Sequence, residues 1–392
     1  MIDLEGKKVL VTGASGFIGG RLVERLVRHH DADVRALVRN PSSAARLARF
    51  PIDFQMGDVT NSADLDRAMA GRDLVFHCAY GTSGSQKHRA WVNKVGTERV
   101  LEAAHRAGSP RVIYLSTLMV YGRTGDGDLD ETAPRKRFGN AYSDSKLEAE
   151  RIALQYSRSG RVPVAVLQPT AVYGPYGGVW TAGPLQTLKT GRMILIDGGS
   201  GLANAVYVDD LVSAMLLAAV RDEAVGEAFL VSGPEAVSWR ELWERFSRIV
   251  DEGPPRTVAM SVDEARAFYD KNRREPLHQE LLRQFKQDQR FRDRLMGTRE
   301  LYALRELASS VLPEAVQTKI KGRMSGGGKP PSPIDRSLPI HPLTPEMIDF
   351  YTPKTWVRID KARRLLGYEP AFSLERGMEL TAEWARWAGI VP

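Results

Sequence analysis

The run Val9-Leu10-Val11-Thr12-Gly13-Ala14-Ser15-Gly16-Phe17-Ile18-Gly19-Gly20 constrains this chain more than any other stretch. An apolar segment breaks into glycines at three-residue intervals and then enters a segment in which Ile18, Leu22, Leu26 and Val27 share one helical face. The pattern predicts a buried strand from Lys7 to Val11, a tight turn and a helix. Gly13 permits the turn, Gly16 lets the backbone approach a pyrophosphate, and Gly19 lets the helix lie close on the strand. Ser15, Phe17 and Ile18 then stand where a helix N-terminus offers free N–H groups and partial positive charge to phosphates. A glycine triplet alone is weak, but here the strand before it and the helix after it supply the context that a dinucleotide cradle requires.

The rest of the first half repeats the same alternation. Strands are expected at 7–11, 34–38, 52–56, 74–77, 112–115 and 162–167, with helical periodicity at 63–69, 91–107 and 141–156. This order predicts an α/β fold, a doubly wound parallel sheet whose ligands gather at the carboxyl ends of the strands. Past Pro169 the pattern loosens into Gly- and Pro-bearing loops, a helix near 208–219, a short strand at 228–231 and a helix starting at Trp239. The expected division is a dinucleotide-binding domain at 1–168 plus about 204–235. A smaller, discontinuous substrate domain takes 169–203 and 236–392, with a charged helical insertion at about 260–345. Lys286, Asp288, Arg290, Arg292, Asp293 and Arg294 alternate in sign there, as on a salt-bridged, solvated helix, and Met324 to Pro333 reads as a loop.

With 392 residues and 43% hydrophobic content the chain can bury a large core. Its one cysteine, Cys78, excludes a disulfide framework and a cysteine-based structural zinc site, and no metal site is expected. The first strand begins almost at once and no apolar run reaches membrane-spanning length, so a cytoplasmic protein without a transmembrane segment is expected. The net charge of +7 is accounted for by a nucleotide cofactor and a phosphorylated substrate; nucleic acid is not required.

Tyr142 and Lys146 lie four residues apart, on one face of one helix. A free phenol titrates near about 10, too high for a base at neutral pH. A positive charge at about 4 Å is worth up to roughly 4 kcal/mol at an effective dielectric of 20, enough to bring Tyr142 near the operating range. Ser116 and Thr117 end the strand 112–115, where a hydroxyl could share a substrate oxygen with Tyr142. At the end of the second strand Arg39 stands where an acidic residue would accept from ribose hydroxyls, and an arginine can pair with a 2′-phosphate. NADP is therefore expected, with NAD possible if Asn40 contacts the ribose and Arg39 is solvated.

These motifs, in order and spacing, resemble the extended short-chain dehydrogenase/reductase family of NAD(P)-dependent nucleotide-sugar epimerases, dehydratases and reductases. The resemblance covers residues 7 to about 235 and the C-terminal piece 358–370. It is carried by Thr12 to Gly19, Gly57-Asp58-Val59, Val75 to Ala79, Asn93 to Thr97, Leu115-Ser116-Thr117 with Val120-Tyr121-Gly122, Tyr142 with Lys146, Pro169 with Val172 to Pro175, and Tyr207 to Asp210. It implies a Rossmann domain in which Tyr142 is the acid/base, Lys146 also holds the nicotinamide ribose and Thr117 positions the reacting oxygen. It further implies that Asp58 and Val59 meet adenine and that Ala79 and Tyr80 line the cofactor. Asn93, Ser116, Pro169 and Val172 complete the cofactor set. The plainer readings are that Asp58 caps the following helix and Asn93 is an ordinary helix polar residue. Asp209 and Asp210 read as N-cap and first-turn acid of the next helix, and His77 and Thr170 as core hydrogen-bonding groups.

Departures narrow the reaction. Dehydratases of this family carry an Asp-Glu pair after the threonine; here Leu118 and Met119 follow it, leaving reductase, dehydrogenase or epimerase chemistry. An arginine often found shortly before Tyr-Val-Asp-Asp is missing, and Gln168 stands where another often precedes the proline. Asn204 is a substrate-binding candidate or a local backbone partner, and Lys189 or Arg192 is a candidate phosphate contact. The expected activity is hydride transfer to or from a secondary alcohol or ketone carbon, most readily of a nucleotide sugar or related glycoside. The alternatives are a non-sugar ketone reductase and a non-catalytic dinucleotide sensor. A homodimer through helices 91–107 and 142–156 is expected by resemblance.

Overall fold

The computed structural model describes residues 2–272 and 338–392. Seven strands form one parallel sheet: β1 (Lys8–Thr12), β2 (Asp33–Val38), β3 (Asp53–Met56), β4 (Leu74–His77), β5 (Arg111–Leu115), β7 (Val164–Pro169) and β11 (Ala228–Val231). Its order is β11-β7-β5-β4-β1-β2-β3. The short strands are β6 (Gly127–Leu129), β8 (Ala171–Tyr173), β9 (Met193–Ile196), β10 (Ala205–Tyr207), β12 (Thr257–Met260) and β13 (Thr355–Val357).

The helices are α1 (Phe17–His30), α2 (Pro41–Ala44), α3 (Ser62–Met69), α4 (Gln86–Arg106), α5 (Ala141–Arg158), α6 (Gly183–Thr190), α7 (Val208–Val220), α8 (Trp239–Val250), α9 (Val262–Asn272), α10 (Pro345–Tyr351), α11 (Asp360–Leu366) and α12 (Leu374–Trp387). Side-chain oxygens of Asn61, Ser85, Asn140, Ser238 and Ser373 cap α3, α4, α5, α8 and α12, meeting N–H groups that lack helical partners.

The strands are apolar almost throughout because both faces are covered. Val9, Val11, Phe76, Ile113, Leu115, Ala165 and Leu167 point into one core with residues of α1 and α7. Leu10, Val75, Val112, Tyr114, Val164 and Val166 point into a second core with residues of α3, α4 and α5. This two-residue alternation within continuous hydrophobic runs is the signature of a doubly wound sheet. The expected α/β Rossmann architecture is present, and the strand at 228–231 joins the sheet as its seventh member beside β7.

Beyond the sheet, β9 pairs with β12, β10 with β8 and β13 with β6. Trp180, Trp239, Trp243, Phe350 and Tyr351 form an aromatic cluster, with the Trp239 and Tyr351 rings 4.4 Å apart. The chain after residue 338 is sewn onto the part before residue 235. Tyr368 donates to the Ser232 carbonyl at 2.9 Å, and the Asp210 carboxylate accepts from the backbone of Ala371 and Phe372. Of the expected charged insertion, the part at 273–337, including Lys286 to Arg294 and Met324 to Pro333, lies outside the described residues.

Candidate active site

The glycine turn follows β1 at the carboxyl edge of the sheet. Gly13 has φ +70, and a Cβ there would lie 2.7 Å from the Ala79 nitrogen, so only glycine lets the turn meet the chain leaving β4. A Cβ on Gly19 would fall 2.9 Å from the Gly13 carbonyl carbon and nearer still to its oxygen. Gly16 is the N-cap of α1 in extended conformation, without a side-chain cap, and no acid occupies the first turn. Ser15 and Gly16 are exposed. This helix end therefore keeps uncapped donors and the positive end of its dipole for an anion, and the residues present fit a dinucleotide diphosphate.

Around it, Arg39 is exposed at the end of β2, with a hydrogen bond to Thr82 Oγ1 at 3.4 Å. Asp58 turns one carboxylate oxygen onto its own loop, accepting from the Thr60 backbone at 2.8 Å and from its hydroxyl at 2.7 Å; the cap of α3 is Asn61. Val59 packs under Gly96 and against the second core. Asn93 is buried: its oxygen accepts from the Gly81 N–H at 2.8 Å and its nitrogen donates to Ser145 Oγ at 2.9 Å. It thereby clamps the loop carrying Ala79 and Tyr80 to the helix carrying Tyr142.

The Tyr80 and Tyr142 rings meet edge-on with centroids 6.0 Å apart. Thr117 begins a 3-10 turn over Leu118–Tyr121, its hydroxyl accepting from the Met119 N–H, and that hydroxyl lies near the Tyr142 phenol. Pro169 ends β7 beside Val231, and Val172 lies in β8. The sequence-predicted Thr117, Tyr142, Lys146, Ser116 and Tyr80 are thus brought to one place.

The expected tuning of Tyr142 differs. Lys146 is buried and donates to the Leu115 carbonyl at 2.8 Å, 5.0 Å from the centre of the Tyr114 ring. The ammonium answers β5 instead of the phenol. Burial pushes the Tyr142 hydroxyl up to about 12, Tyr80 adds to this, and the nearby Thr117 hydroxyl opposes it. Lys146 itself is lowered to about 8 by burial, with Cys78 and Glu150 opposing. Tyr142 stays protonated through the neutral range, and 43% of it is exposed, open to an incoming molecule.

His77 lies between Thr12 Oγ1 at 2.7 Å and Thr97 Oγ1 at 3.0 Å and is pushed down to about 3 by burial and Lys146, a neutral core group as read from the sequence. Thr170 bonds the Val231 carbonyl and Ser232. Cys78 is driven up to about 12 by burial, an inert thiol.

Asn204, the substrate candidate, is corrected to its backbone alternative. It is buried with φ +45, its nitrogen donates to the Thr355 carbonyl at 2.8 Å and its oxygen accepts from the Val357 N–H at 3.1 Å. Both ends of its amide fasten β13. Lys189 donates to the Ile390 carbonyl and Arg192 to the Leu338 carbonyl. Tyr207, not Asp209, is the N-cap of α7; Asp209 and Asp210 are both first-turn acids, and Asp209 takes a bidentate pair of bonds from Arg21 at 2.6 and 2.9 Å.

Sequence reasoning missed two features. Glu150, four residues past Lys146, is fully buried and accepts from Ser116 Oγ, Arg135 Nε and Gln168 Nε2. The continuation of the Tyr-x-x-x-Lys spacing by one more helical step was the available signal. Leu118, Met119, Gly122, Arg123, Thr124 and Phe138 with Asp349 and Phe350 of α10 line a cleft beside Thr117, and no sequence pattern joined residues so far apart. At its rim Asp349 accepts from Arg123 at 2.6 Å and Arg266 at 3.0 Å.

Residues 9–232 match the model of the NAD dependent epimerase/dehydratase family. The chain is 33% identical over 235 residues to a 4-hydroxy-2-methyl-3-oxo-4-farnesyl-3,4-dihydroquinoline-1-oxide ketoreductase of Stigmatella aurantiaca, covering 58% of this chain and 68% of that one. It is 32% identical over 265 residues to a putative dihydroflavonol 4-reductase of Synechocystis, covering 63% and 74%. A solved structure of UDP-glucuronic acid 4-epimerase from Bacillus cereus, in complex with UDP-glucuronic acid and NAD, shares the fold with TM-score 0.65 at 19% identity, covering 97% of this chain and 99% of that one. With its turn, sheet and matched span in agreement, the chain belongs to the NAD-dependent epimerase/dehydratase family.

Proposed function

We propose that this enzyme is an NADP-preferring ketone reductase working on an apolar substrate. The observation that carries the reading is the wall beside Thr117: Leu118 and Met119 are apolar where an eliminating enzyme needs an ionisable pair, and Phe138 and Phe350 line the same small cleft. In the reductive direction Thr117 and Tyr142 hold the substrate carbonyl oxygen, and Tyr142 gives it a proton while its carbon receives hydride. Tyr142 is protonated at neutral pH and so carries the proton that the developing alkoxide takes. A bound nicotinamide dinucleotide would supply the hydride, with the N-terminus of α1 on its diphosphate, Lys146 on its ribose and Arg39 on a 2′-phosphate. The names of the two relatives above, a ketoreductase and a putative reductase, support the same reading.

The second reading is a nucleotide-sugar epimerase. Arg123 favours it, because its guanidinium is 61% exposed at the cleft rim and could receive a diphosphate in place of Asp349. A homodimer through α4 and α5, which pack on each other and leave Trp91 exposed, and a cytoplasmic site of action belong to both readings. No helix among the described residues is long and apolar enough to cross a membrane.

The test is to release and identify any bound dinucleotide, titrate the stripped protein with NADPH and NADH, and offer apolar ketones and UDP-sugars. Exchangeable NADPH consumed with an apolar ketone supports the reductase. A tightly kept cofactor with interconversion of a UDP-sugar and no net redox change supports the epimerase. Binding of neither dinucleotide removes both.

A further inference from the structure

Glu150 is the most completely buried carboxylate near the site, and its partners come from three separate segments. On α5, Tyr142, Lys146 and Glu150 follow at four-residue steps and share one face. Oε2 of Glu150 accepts from Ser116 Oγ at 2.5 Å, the residue before Thr117. Oε1 accepts from Arg135 Nε at 2.5 Å and from Gln168 Nε2 at 2.8 Å, the residue before Pro169. Gln168 in turn accepts from the Tyr121 hydroxyl at 2.8 Å, and the Arg135 guanidinium lies over the Tyr121 ring. A side chain with no exposed surface that holds the ends of β5 and β7, the 3-10 turn and the loop at Arg135 fixes the frame in which Thr117 and Tyr142 meet.

We propose that Glu150 is a positioning residue: a buried anion that keeps the Lys146 ammonium charged inside the fold and locks the strand end carrying Thr117. An isolated ammonium in an apolar interior tends to lose its proton, and an anion one helical step away opposes that loss. The groups around Lys146 are the Leu115 carbonyl and Tyr114 ring from β5, His77 and Cys78 from β4 and the turn after it, and Glu150 from α5. His77 is neutral and the Cys78 thiol protonated, so Glu150 is the one full negative charge in this set. Arg135 stands on the far side of Glu150 and partly neutralises it.

This assignment gives substitutions of opposite sign, and it rests on the reading that Lys146 grips the cofactor. The experiment measures the affinity of the stripped protein for NADPH by fluorescence titration from pH 6 to 10. In the wild type, affinity falls as pH rises and Lys146 loses its proton near 8. Glu150→Gln keeps the size of the side chain and removes its charge, so the fall moves to lower pH, by about one pH unit or more. Arg135→Gln leaves the carboxylate less compensated, so the fall moves to higher pH. General loosening of the fold would weaken binding in both variants without moving the midpoints apart. Midpoints that stay in place, or move the same way in both variants, overturn the proposal. Should Glu150→Gln fail to fold, the upward displacement in Arg135→Gln still decides. Absence of NADPH binding in the wild type defeats the cofactor reading itself and is distinguishable from either result.

Discussion

Replacing Lys146 with methionine should trade function for stability in a pH-dependent way. The Lys146 ammonium is lowered from an ordinary 10.5 to about 8 in the folded chain, with burial as the leading cause. At about 1.36 kcal/mol per pH unit, the charged form costs the folded state on the order of 3 kcal/mol relative to the unfolded chain. Because the folded value is the depressed one, the cost is fully present below pH 8. It fades as pH rises toward 10.5 and the folded lysine gives up its proton before the unfolded one does.

Methionine fills a similar volume without charge but abandons the bond to the Leu115 carbonyl, and a buried carbonyl left without a partner costs about 1–3 kcal/mol. At pH 7 the variant should be equal to the wild type or more stable. At pH 10 the wild type should have gained about 2–3 kcal/mol on it. Urea titrations of both proteins at pH 7 and pH 10, followed by tryptophan fluorescence, read the difference directly, since groups common to both cancel. A stability gap that does not change between the two pH values refutes the buried, charge-disfavoured placement of Lys146. NADPH affinity should meanwhile fall at pH 7 in the variant, whatever its stability.

Other outcomes follow from the same geometry. Tyr142→Phe should lower turnover by about 100-fold or more in a ketone-reduction assay while leaving NADPH affinity within a few-fold, because it removes the proton that the carbonyl needs and no cofactor grip. Gly19→Ala places a Cβ 2.9 Å from the Gly13 carbonyl carbon, so α1 must shift; a loss of about 1–3 kcal/mol in chemical denaturation and weakened binding of both dinucleotides are expected. Arg39→Glu should reverse the ratio of NADPH to NADH affinities and leave thermal unfolding within a degree or two, since Arg39 is exposed. Asn204→Ala strips two backbone partners from β13 and should destabilise the fold by about 2 kcal/mol in urea titration, with NADPH affinity at saturating stability unchanged.

The sheet and the cradle were legible because their causes are local. Short apolar runs alternating with helical periodicity mark strands covered on both faces, and Gly13 and Gly19 stand where any Cβ collides. The helical step from Tyr142 to Lys146 was equally plain. Where the lysine's nitrogen points was not, since the Leu115 carbonyl that captures it lies on another strand. Asn204 shows the same boundary. A polar residue next to a motif reads as a ligand contact until the backbone it serves is seen, and for Asn204 that backbone lies 151 and 153 residues further along the chain. Glu150 was passed over for the opposite reason: its helical step after Lys146 was there to read, but a glutamate on a helix is ordinarily solvated, and only the convergence of Ser116, Arg135 and Gln168 puts it in the interior.

The attachment of the final segment to the part before residue 235 has a bearing on how the protein is made. Ser232, Asp210 and Asn204 each hold a bond whose other end is in residues 355–372, and β6 has no pairing partner until β13 emerges. A ribosome-bound nascent chain that has released the sheet but not this segment carries these groups unanswered, so the core should set only after synthesis passes residue 372. Contacts closed over such sequence separations also slow the search for the native state. Emergence of residues 355–372, more than completion of the seven strands, should then time the appearance of native fluorescence.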